Sequence, residues 1–288
     1  MKLFFQDISF TALRPIRSLP PWHGARWAAL FRLLCKGAGT TAEDAYLALV
    51  PERAGNKHIL AGESLRVRLI SHEGARDTLA SLLHFMQRAE VGEGEFTLGQ
   101  SLAFAGVSNP LATSGEQGED ALAETQPPFM GEAKKLMRLA AVSNWTILLT
   151  APLRLTNPPN EKAGGRYATK DFFTQHPHGV WHLIDKIRGL GTIIENPNVS
   201  VTATNLHWHD MAYNQTRRIR LGGLVGSITL APATLSVEQA LALVMGQYTG
   251  AGKNGRFGFG LYQIAELEEK HTFTPFPSNY GLLQAWPS

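Results

Sequence analysis

A stretch near the end of the chain combines six glycines with two basic side chains. Residues 246–264 read GQYTGAGKNGRFGFGLYQI, in which Lys253, Asn254 and Arg256 lie between glycines. Glycine lets the backbone take positive φ and lets a second backbone come close, so such a loop can direct several N–H groups at an anion. The stretch is therefore typical of a loop that contacts phosphate. A glycine-rich hairpin without a ligand is the alternative.

The same stretch is not a nucleotide fingerprint, although the spacing GxGxxG occurs between Gly250 and Gly255. A dinucleotide-binding loop leaves a strand and opens a helix, whereas here a helical pattern at 236–248 leads in and a strand-like segment leads out. A nucleotide-triphosphate loop needs Ser or Thr after its lysine, and Lys253 is followed by Asn254. The sequence therefore argues against nucleotide binding.

Two histidines flank a tryptophan in the run His207, Trp208, His209, Asp210. Successive side chains of a strand point to opposite faces, so a strand would turn both histidines to one face. Two histidines and a carboxylate, without a third histidine at suitable spacing, make a weak metal site. A pair that contacts a polyanion, or that packs around Trp208, fits the pattern better.

Composition describes a folded protein with a slight excess of positive charge. The chain has 288 residues, 44% of them hydrophobic, and 27 Lys+Arg against 24 Asp+Glu give a formal charge of +3, which suits a polyanionic partner. The single cysteine, Cys35, excludes a disulfide or a cysteine zinc site within the chain. Gln6 and Asp7 interrupt the apolar N-terminus, so we expect a cytoplasmic protein that does not engage a membrane.

Hydrophobic periodicity predicts the order β-α-β-β-α-β in the second half of the chain, and the five elements predicted in the first half fit the same order loosely. Arg66 and Arg68 fall on one face of the third element, where a solvated strand face and a nucleic-acid surface are both open. The predicted strands and helices are 3–13, 25–34, 65–70, 78–88 and 95–104 in the first half, with 37–62 a loop, and 144–150, 180–189, 199–208, 220–231, 236–248 and 257–267 in the second.

This order predicts an α+β protein of two tandem ferredoxin-like domains. The first covers 1–135, including a linker at about 106–135 that is rich in Gly, Pro, Ser, Thr and Glu, and the second covers 136–288 with the glycine loop. Two open sheets with helices on one face of each would leave a central cleft in which a strand of RNA could lie.

Four stretches resemble one family, the CRISPR-associated endoribonucleases that cut precursor CRISPR RNA within its repeats, members of the repeat-associated mysterious protein (RAMP) superfamily. The glycine loop resembles the family's C-terminal signature, and the strand region before the loop resembles the strand region that precedes this signature in the family. LTAPLRL resembles the opening of its second domain, and LPPWHG with the helix that follows resembles its first. In this chain they are 250–264, 221–229 with 208–210 and 214–218, 149–155 and 19–24.

The resemblance implies cleavage without a metal or other cofactor, in which the ribose 2′-OH attacks the adjacent phosphate and leaves a 2′,3′-cyclic phosphate and a 5′-OH. It points to His23, before the first helix, as the proton carrier. Arg17 or Arg26 could then steady the phosphate, and Tyr46 or Tyr213 could assist His23. Stacking on Trp22, or capping of the helix, is the alternative role of His23.

The basic residues best suited to bind RNA are Lys253 and Arg256 on the loop and Arg217, Arg218 and Arg220 around the start of the preceding strand. The alternative for 217–220 is a solvated sheet edge without a ligand. Expected partners are the CRISPR repeat RNA, as precursor or product, and other subunits of an effector complex. The candidate RNA-binding residues are Gly250, Gly252, Lys253, Asn254, Gly255, Arg256, Arg217, Arg218, Arg220, His207 and His209.

The resemblance leaves a second function open, a non-catalytic RAMP subunit that grips CRISPR RNA with the same loop. A repeat-specific endoribonuclease that can stay on its product is the leading hypothesis, and cleavage separates the two. A third hypothesis, an enzyme that uses the glycine loop for a nucleotide, predicts thermal stabilisation by a nucleotide and none by repeat RNA.

Overall fold

A computed structural model describes most of the chain as two units. The described residues are 3–19, 24–51, 57–88, 102–108, 129–157, 167–176, 178–187, 194–195, 198–214 and 219–267. Unit 1 comprises Met1–Pro127 with Arg256–Gly258, and unit 2 comprises Pro128–Gly255 with Phe259–Ser288. Among the described residues, no helix combines the length and apolar character needed to cross a membrane.

Unit 1 is built on a four-stranded antiparallel sheet in the order β3-β5-β1-β6, in which the third strand of the motif lies beside the first. A small second sheet pairs β2 with β4. The elements of unit 1 are β1 Leu3–Ala12, β2 Ile16–Leu19, α1 Gly24–Gly37, α2 Ala42–Ala45, β3 Ala48–Pro51, β4 Lys57–Ile59, β5 Ser64–His72, α3 Arg76–Arg88 and β6 Leu102–Ser108.

The core of unit 1 forms where helices α1 and α3 cover one face of this sheet. Trp27 and Phe31 lie at helical spacing on α1 and are buried against Phe10 of β1. The ring of Phe10 lies 5.3 Å from that of Trp27 and 6.3 Å from that of Phe31, in tilted and edge-on arrangements that aromatic quadrupoles favour. This packing fixes α1 on the sheet.

A bidentate ion pair ties the two central strands of unit 1 together. Asp7 lies directly opposite Arg68 in the β1–β5 register. Arg68 Nε donates to Asp7 Oδ1 at 2.5 Å and Nη2 donates to Oδ2 at 2.6 Å, with both side chains largely buried. The Arg68 guanidinium is therefore engaged within the sheet, which argues against a nucleic-acid contact by this residue. Arg66, on the same strand, is exposed.

Unit 2 repeats the topology with its own sheet, in the order β10-β7-β9-β8, again entirely antiparallel. One helix precedes the motif, and two short helices occupy the first crossover. Its elements are α4 Phe129–Val142, β7 Trp145–Leu153, α5 Phe172–Gln175, α6 Val180–Asp185, β8 Val201–Asn214, β9 Ile219–Leu230, α7 Val237–Thr249 and β10 Tyr262–Ile264. Two ferredoxin-like units in tandem confirm the predicted α+β fold class.

Helix α7 holds the segment that leads into the glycine loop. Ser236 and Gln239 form a capping box at its N-terminus. Near its C-terminus, a Cβ on Gly246 would overlap the hydroxyl of Tyr262, which donates a 2.7 Å hydrogen bond to the carbonyl of Leu243. Burial raises the pKa of Tyr262 and keeps it a donor. Glycine thus lets α7 come close to β10, and the loop between them has fixed ends.

Several predicted elements were wrong in extent. The loop predicted at 37–62 contains α2, β3 and β4, because such short elements leave little periodicity. The strand predicted at 257–267 is limited to β10, since a 3-10 turn occupies Gly255–Phe257. Helix α4 begins at Phe129, inside the predicted linker, while 109–128 lies outside the described residues. The described part of the strand predicted at 95–104 begins at Leu102 and continues to Ser108.

Replacing Arg68 by alanine should destabilise the protein by about 3 kcal/mol, because Asp7 would remain buried without its counter-ion. Arg66→Ala is the matched control, since it removes an exposed arginine from the same strand and should cost less than about 1 kcal/mol. Chemical denaturation of both variants measures the difference. Equal losses of unfolding free energy in the two variants would show that the Asp7–Arg68 pair stabilises the protein no more than an exposed arginine does.

Candidate nucleic-acid interface

The glycine loop between α7 and β10 is held by hydrogen bonds from its own backbone. Its N–H groups reach carbonyls at the end of β7, after α6 and within the loop itself. The N–H groups of these six residues therefore already have acceptors in the chain. The bonds run from Gly250 to Gly246 (2.8 Å), Ala251 to Gly260 (2.9 Å), Gly252 to Lys186 (2.8 Å), Lys253 to Arg154 (2.8 Å), Phe259 to Asn254 (3.2 Å) and Gly260 to Pro152 (2.9 Å).

Two glycines in the loop are required by close backbone contacts. Gly252 has φ +71° and a Cβ there would overlap the carbonyl oxygen of Arg154. Gly260 has φ +78° and its Cβ would overlap the carbonyl oxygen of Ala251. Both residues adopt the left-handed region that side chains disfavour. These glycines shape the loop, and any binding by its flanks must come from side chains.

The polar side chains of the loop differ in their surroundings. Lys253 is exposed, and Asn254 takes φ 65°, which asparagine tolerates better than most residues. Arg256 belongs to unit 1, where its Nε and Nη2 donate to the carbonyls of Ala42 and Glu43, both at 3.2 Å. Its Nη1 also lies 3.4 Å from the Glu43 carboxylate. A phosphate contact by Arg256 stays a prediction, and it would have to share these donors.

The strands β8 and β9 form a long antiparallel ribbon that carries the histidine pair. In its register His207 lies opposite Val225 and His209 opposite Gly223, so both histidines occupy one face. His207 is exposed and His209 is half-buried. Partial burial lowers the pKa of His209, with a further lowering by His207 that Asp210 opposes. His209 is consequently neutral at neutral pH, a donor or acceptor rather than a cation.

Trp208 lies on the opposite face of the same ribbon as an oriented aromatic surface. Its Nε1 donates to Asp210 Oδ1 at 2.8 Å, and the side chain is 37% exposed. A Cβ on Gly222 of β9 would lie 2.5 Å from Trp208 Nε1 and 2.9 Å from its Cε2, so the indole lies directly on the glycine backbone. The sequence indicated Trp208 only as a packing partner of the histidine pair, although a tryptophan and an aspartate two residues apart in a strand can form this side-chain hydrogen bond.

The structure describes the other predicted residues to different extents. Arg26 is exposed in the first turn of α1. Tyr46 is buried in the core of unit 1 with an exposed fraction of 1%, which disfavours it as the assisting tyrosine, and the alternative, Tyr213, stays a prediction. His23, Arg217 and Arg218 lie outside the described residues, and for Arg17 and Arg220 the description covers the backbone alone, in β2 and β9.

Sequence comparison finds no relative of this chain, since no family model and no curated protein match it. Solved structures do match. A partial Cas6-RT-Cas1–Cas2 complex aligns with a TM-score of 0.62 and 14% identity, over 94% of this chain and 47% of that chain. In another structure of a Cas6-RT-Cas1–Cas2 complex, the match covers 29% of the other chain. This chain thus spans half or less of the length of these two neighbours.

Two shorter neighbours match from end to end. A Cas6 product complex aligns with a TM-score of 0.51 and 19% identity, over 91% of this chain and 99% of that one. Cas6 of Thermus thermophilus aligns with a TM-score of 0.50 and 16% identity, over 91% and 98%. The chain therefore has the tandem ferredoxin-like fold of these Cas6 structures. At the level of the fold, this confirms the resemblance stated from the sequence.

Gly260→Ala should destabilise the protein by about 3 kcal/mol, because the new Cβ adds a backbone overlap to the strain of positive φ. Gly39→Ala is the matched control. Gly39 also has positive φ, +73°, but nothing lies within 4 Å of its Cβ position, so strain alone should cost about 1 kcal/mol. Thermal and chemical unfolding measure both. Similar losses in the two variants would contradict the close contact at Gly260.

Proposed function

We propose that this protein is a CRISPR repeat-specific endoribonuclease that cleaves precursor CRISPR RNA. The observation that carries the proposal is the agreement in fold with a Cas6 product complex over 91% of this chain and 99% of the other. Because a fold supports many functions, the proposal also needs residues suited to the chemistry. Unit 2 carries cations, an exposed indole and a histidine pair, which are groups suited to contacts with RNA.

The proposed cleavage uses the substrate's own nucleophile. The ribose 2′-oxygen attacks the adjacent phosphorus, the bond to the leaving 5′-oxygen breaks, and the products carry a 2′,3′-cyclic phosphate and a 5′-OH. This reaction needs a group that removes the 2′-OH proton, a group that protonates the leaving oxygen and positive charge beside the transition state. We assign a proton transfer to His23 and the positive charge to Arg17 and Arg26.

The proposed binding surface consists of the glycine loop and the β8–β9 ribbon. Lys253 and Arg256 contribute charge from the loop, and the backbone at Gly250, Gly252, Asn254 and Gly255 sets their positions. Arg217 and Arg218, which lie in sequence between β8 and β9, and Arg220 of β9 add further positive charge. Phosphate contacts of this kind provide affinity and register. His207 and His209 would contribute hydrogen bonds from one face of the ribbon.

Trp208 gives the ribbon a means to contact bases. An indole that is held by Asp210 and supported by Gly222 loses little freedom when a base stacks on it. Sequence-specific RNA recognition depends largely on unpaired bases that stack on aromatic rings. We therefore assign to Trp208 a stacking contact with an unpaired base or with the terminal base pair of a repeat stem.

Other CRISPR proteins belong to the proposal as partners. The structures that align with the highest TM-scores reported above are Cas6-RT-Cas1–Cas2 complexes, in which the matching part is less than half of a longer chain. A role beside other CRISPR proteins, with the repeat RNA as the shared ligand, follows from that likeness.

Incubation with cognate repeat RNA in EDTA tests the catalytic assignment. We expect the wild-type protein to cut once in each repeat, and His23→Ala to lose at least about a hundredfold in rate while it still binds, because a positioned proton carrier contributes that much. An RNA with a single 2′-deoxyribose before the cut should resist. His84→Ala, which changes an exposed histidine of α3, should cut normally.

Each other result has a definite meaning. Tight binding by the wild-type protein without any cleavage would replace the enzyme by a non-catalytic RNA-binding subunit. Normal cleavage by His23→Ala, with the 2′-deoxy RNA still resistant, would keep the reaction but remove His23 from it. Cleavage that stops in EDTA would contradict the metal-free mechanism.

Trp208→Ala should weaken repeat RNA binding about tenfold, because base–aromatic stacking contributes on the order of 1–3 kcal/mol for each base. Trp208→Phe keeps a ring but loses the hydrogen bond to Asp210, so its affinity should fall between that of the wild type and that of Trp208→Ala. Anisotropy titrations measure both, and thermal unfolding checks that the ribbon stays folded. Wild-type affinity in Trp208→Ala would exclude the stacking contact.

A further inference from the structure

We propose that Arg154, together with Lys253, forms a binding site for one backbone phosphate of the RNA. The proposal rests on the RNA-binding function proposed above and adds a residue that the sequence analysis did not select. Arg154 follows β7 within the stretch LTAPLRL at 149–155. Its side chain, its neighbours and its hydrogen bonding indicate an anion site.

The Arg154 guanidinium is held against an aromatic ring. Its Cζ lies 4.3 Å from the centroid of the Tyr167 ring, a cation–π contact. The backbone secures Tyr167 there, since Thr156 and Tyr167 form an antiparallel bridge and Ala168 N–H donates to Leu155 O at 2.9 Å. An arginine stacked in this way presents the edge of its planar fork, which suits bidentate recognition of an anion.

The same guanidinium carries a buried donor that lacks an acceptor. Among the residues that the structure describes, Arg154 Nε is one of four buried side-chain atoms without a hydrogen-bond partner. A buried unsatisfied donor is costly, and the cost is greater on a charged group. The residue as a whole is half-buried, so an anion can approach the fork. An anion that bonds to the guanidinium would compensate this unsatisfied charge.

The backbone of Arg154 joins it directly to the glycine loop. Lys253 N–H donates to Arg154 O at 2.8 Å, and the Gly252 backbone lies so close that a Cβ would overlap that same oxygen. Gly252 N–H in turn donates to Lys186 O at 2.8 Å. Three basic residues from three separate segments therefore meet at the start of the loop, with their backbones fixed by hydrogen bonds.

An RNA phosphodiester is the ligand that fits this arrangement. Its two non-bridging oxygens match the spacing of the arginine fork, and its single negative charge is shared easily between Arg154 and exposed Lys253. The site lies beside the loop that carries the predicted RNA contacts, so a bound strand would continue past Lys253. A purely structural contact between Arg154 and Tyr167 is the competing explanation, and salt dependence separates the two.

The test is a titration of fluorescent repeat RNA with the whole protein, between about 50 and about 200 mM salt. Arg154→Gln should bind about tenfold more weakly at the lower salt concentration, and its slope of log affinity against log salt should fall by about one. Arg138→Gln, which neutralises an exposed arginine on α4, is the matched control and should match the wild type.

Arg154→Lys covers the case in which Arg154→Gln does not fold. Lysine keeps the charge but loses the stacked, bidentate fork, so we expect a wild-type salt slope with about fivefold weaker binding. Unchanged affinity and slope in a folded Arg154→Gln or Arg154→Lys protein would overturn the phosphate site and leave a structural contact. Stabilisation of the wild type by inorganic phosphate, with RNA binding independent of Arg154, would assign the site to a free anion. Failure of the wild type to bind RNA would overturn the proposed function itself, and this site with it.

Discussion

The close approach of two backbones at the end of β7 is the contact on which the candidate interface depends. Gly252 and Gly260 lie so near the carbonyls of Arg154 and Ala251 that no side chain could replace either hydrogen. The N–H groups on both flanks of the loop are consumed in making this contact. A loop with this composition is usually interpreted as an anion cradle built from free N–H groups, and here its flanks are a rigid support for side chains instead.

The two units solve the same folding problem with different central contacts. Both place the third strand of the motif beside the first, so the first strand is central in each sheet and makes both of the longest-range pairings. Unit 1 secures that centre with the buried Asp7–Arg68 pair, whereas unit 2 uses glycines in β9, where Gly222 and Gly223 admit a tryptophan and the backbone of β7. The ion pair occupies the polar groups of Asp7 and Arg68, whereas the contact at Gly222 leaves the Trp208 side chain partly exposed.

The sequence predicted the repeated order of elements because that order follows from long, regular patterns. Alternation marked β1 and β5, and helical spacing marked α1 and α3. Short elements such as β3 and β4 were missed, since three or four residues carry too little period. Contacts between residues that are distant in sequence left no recognisable pattern in the sequence. Nothing local shows that Arg154 would stack on Tyr167 or that Tyr46 would be buried, because those outcomes depend on which segments meet.

The charges available to the interface decide what kind of recognition it can perform. The formal charge of the chain is only +3, and burial lowers the pKa of His209, so His209 adds little attraction for phosphate. In the proposed complex with RNA, electrostatic affinity would therefore rest on a few placed cations. Discrimination among RNAs must come from shape and from bases, which is the role that an oriented indole such as Trp208 can fill. For the proposed function, the fixed backbone of the loop and the oriented Trp208 indole therefore favour selective over general RNA binding.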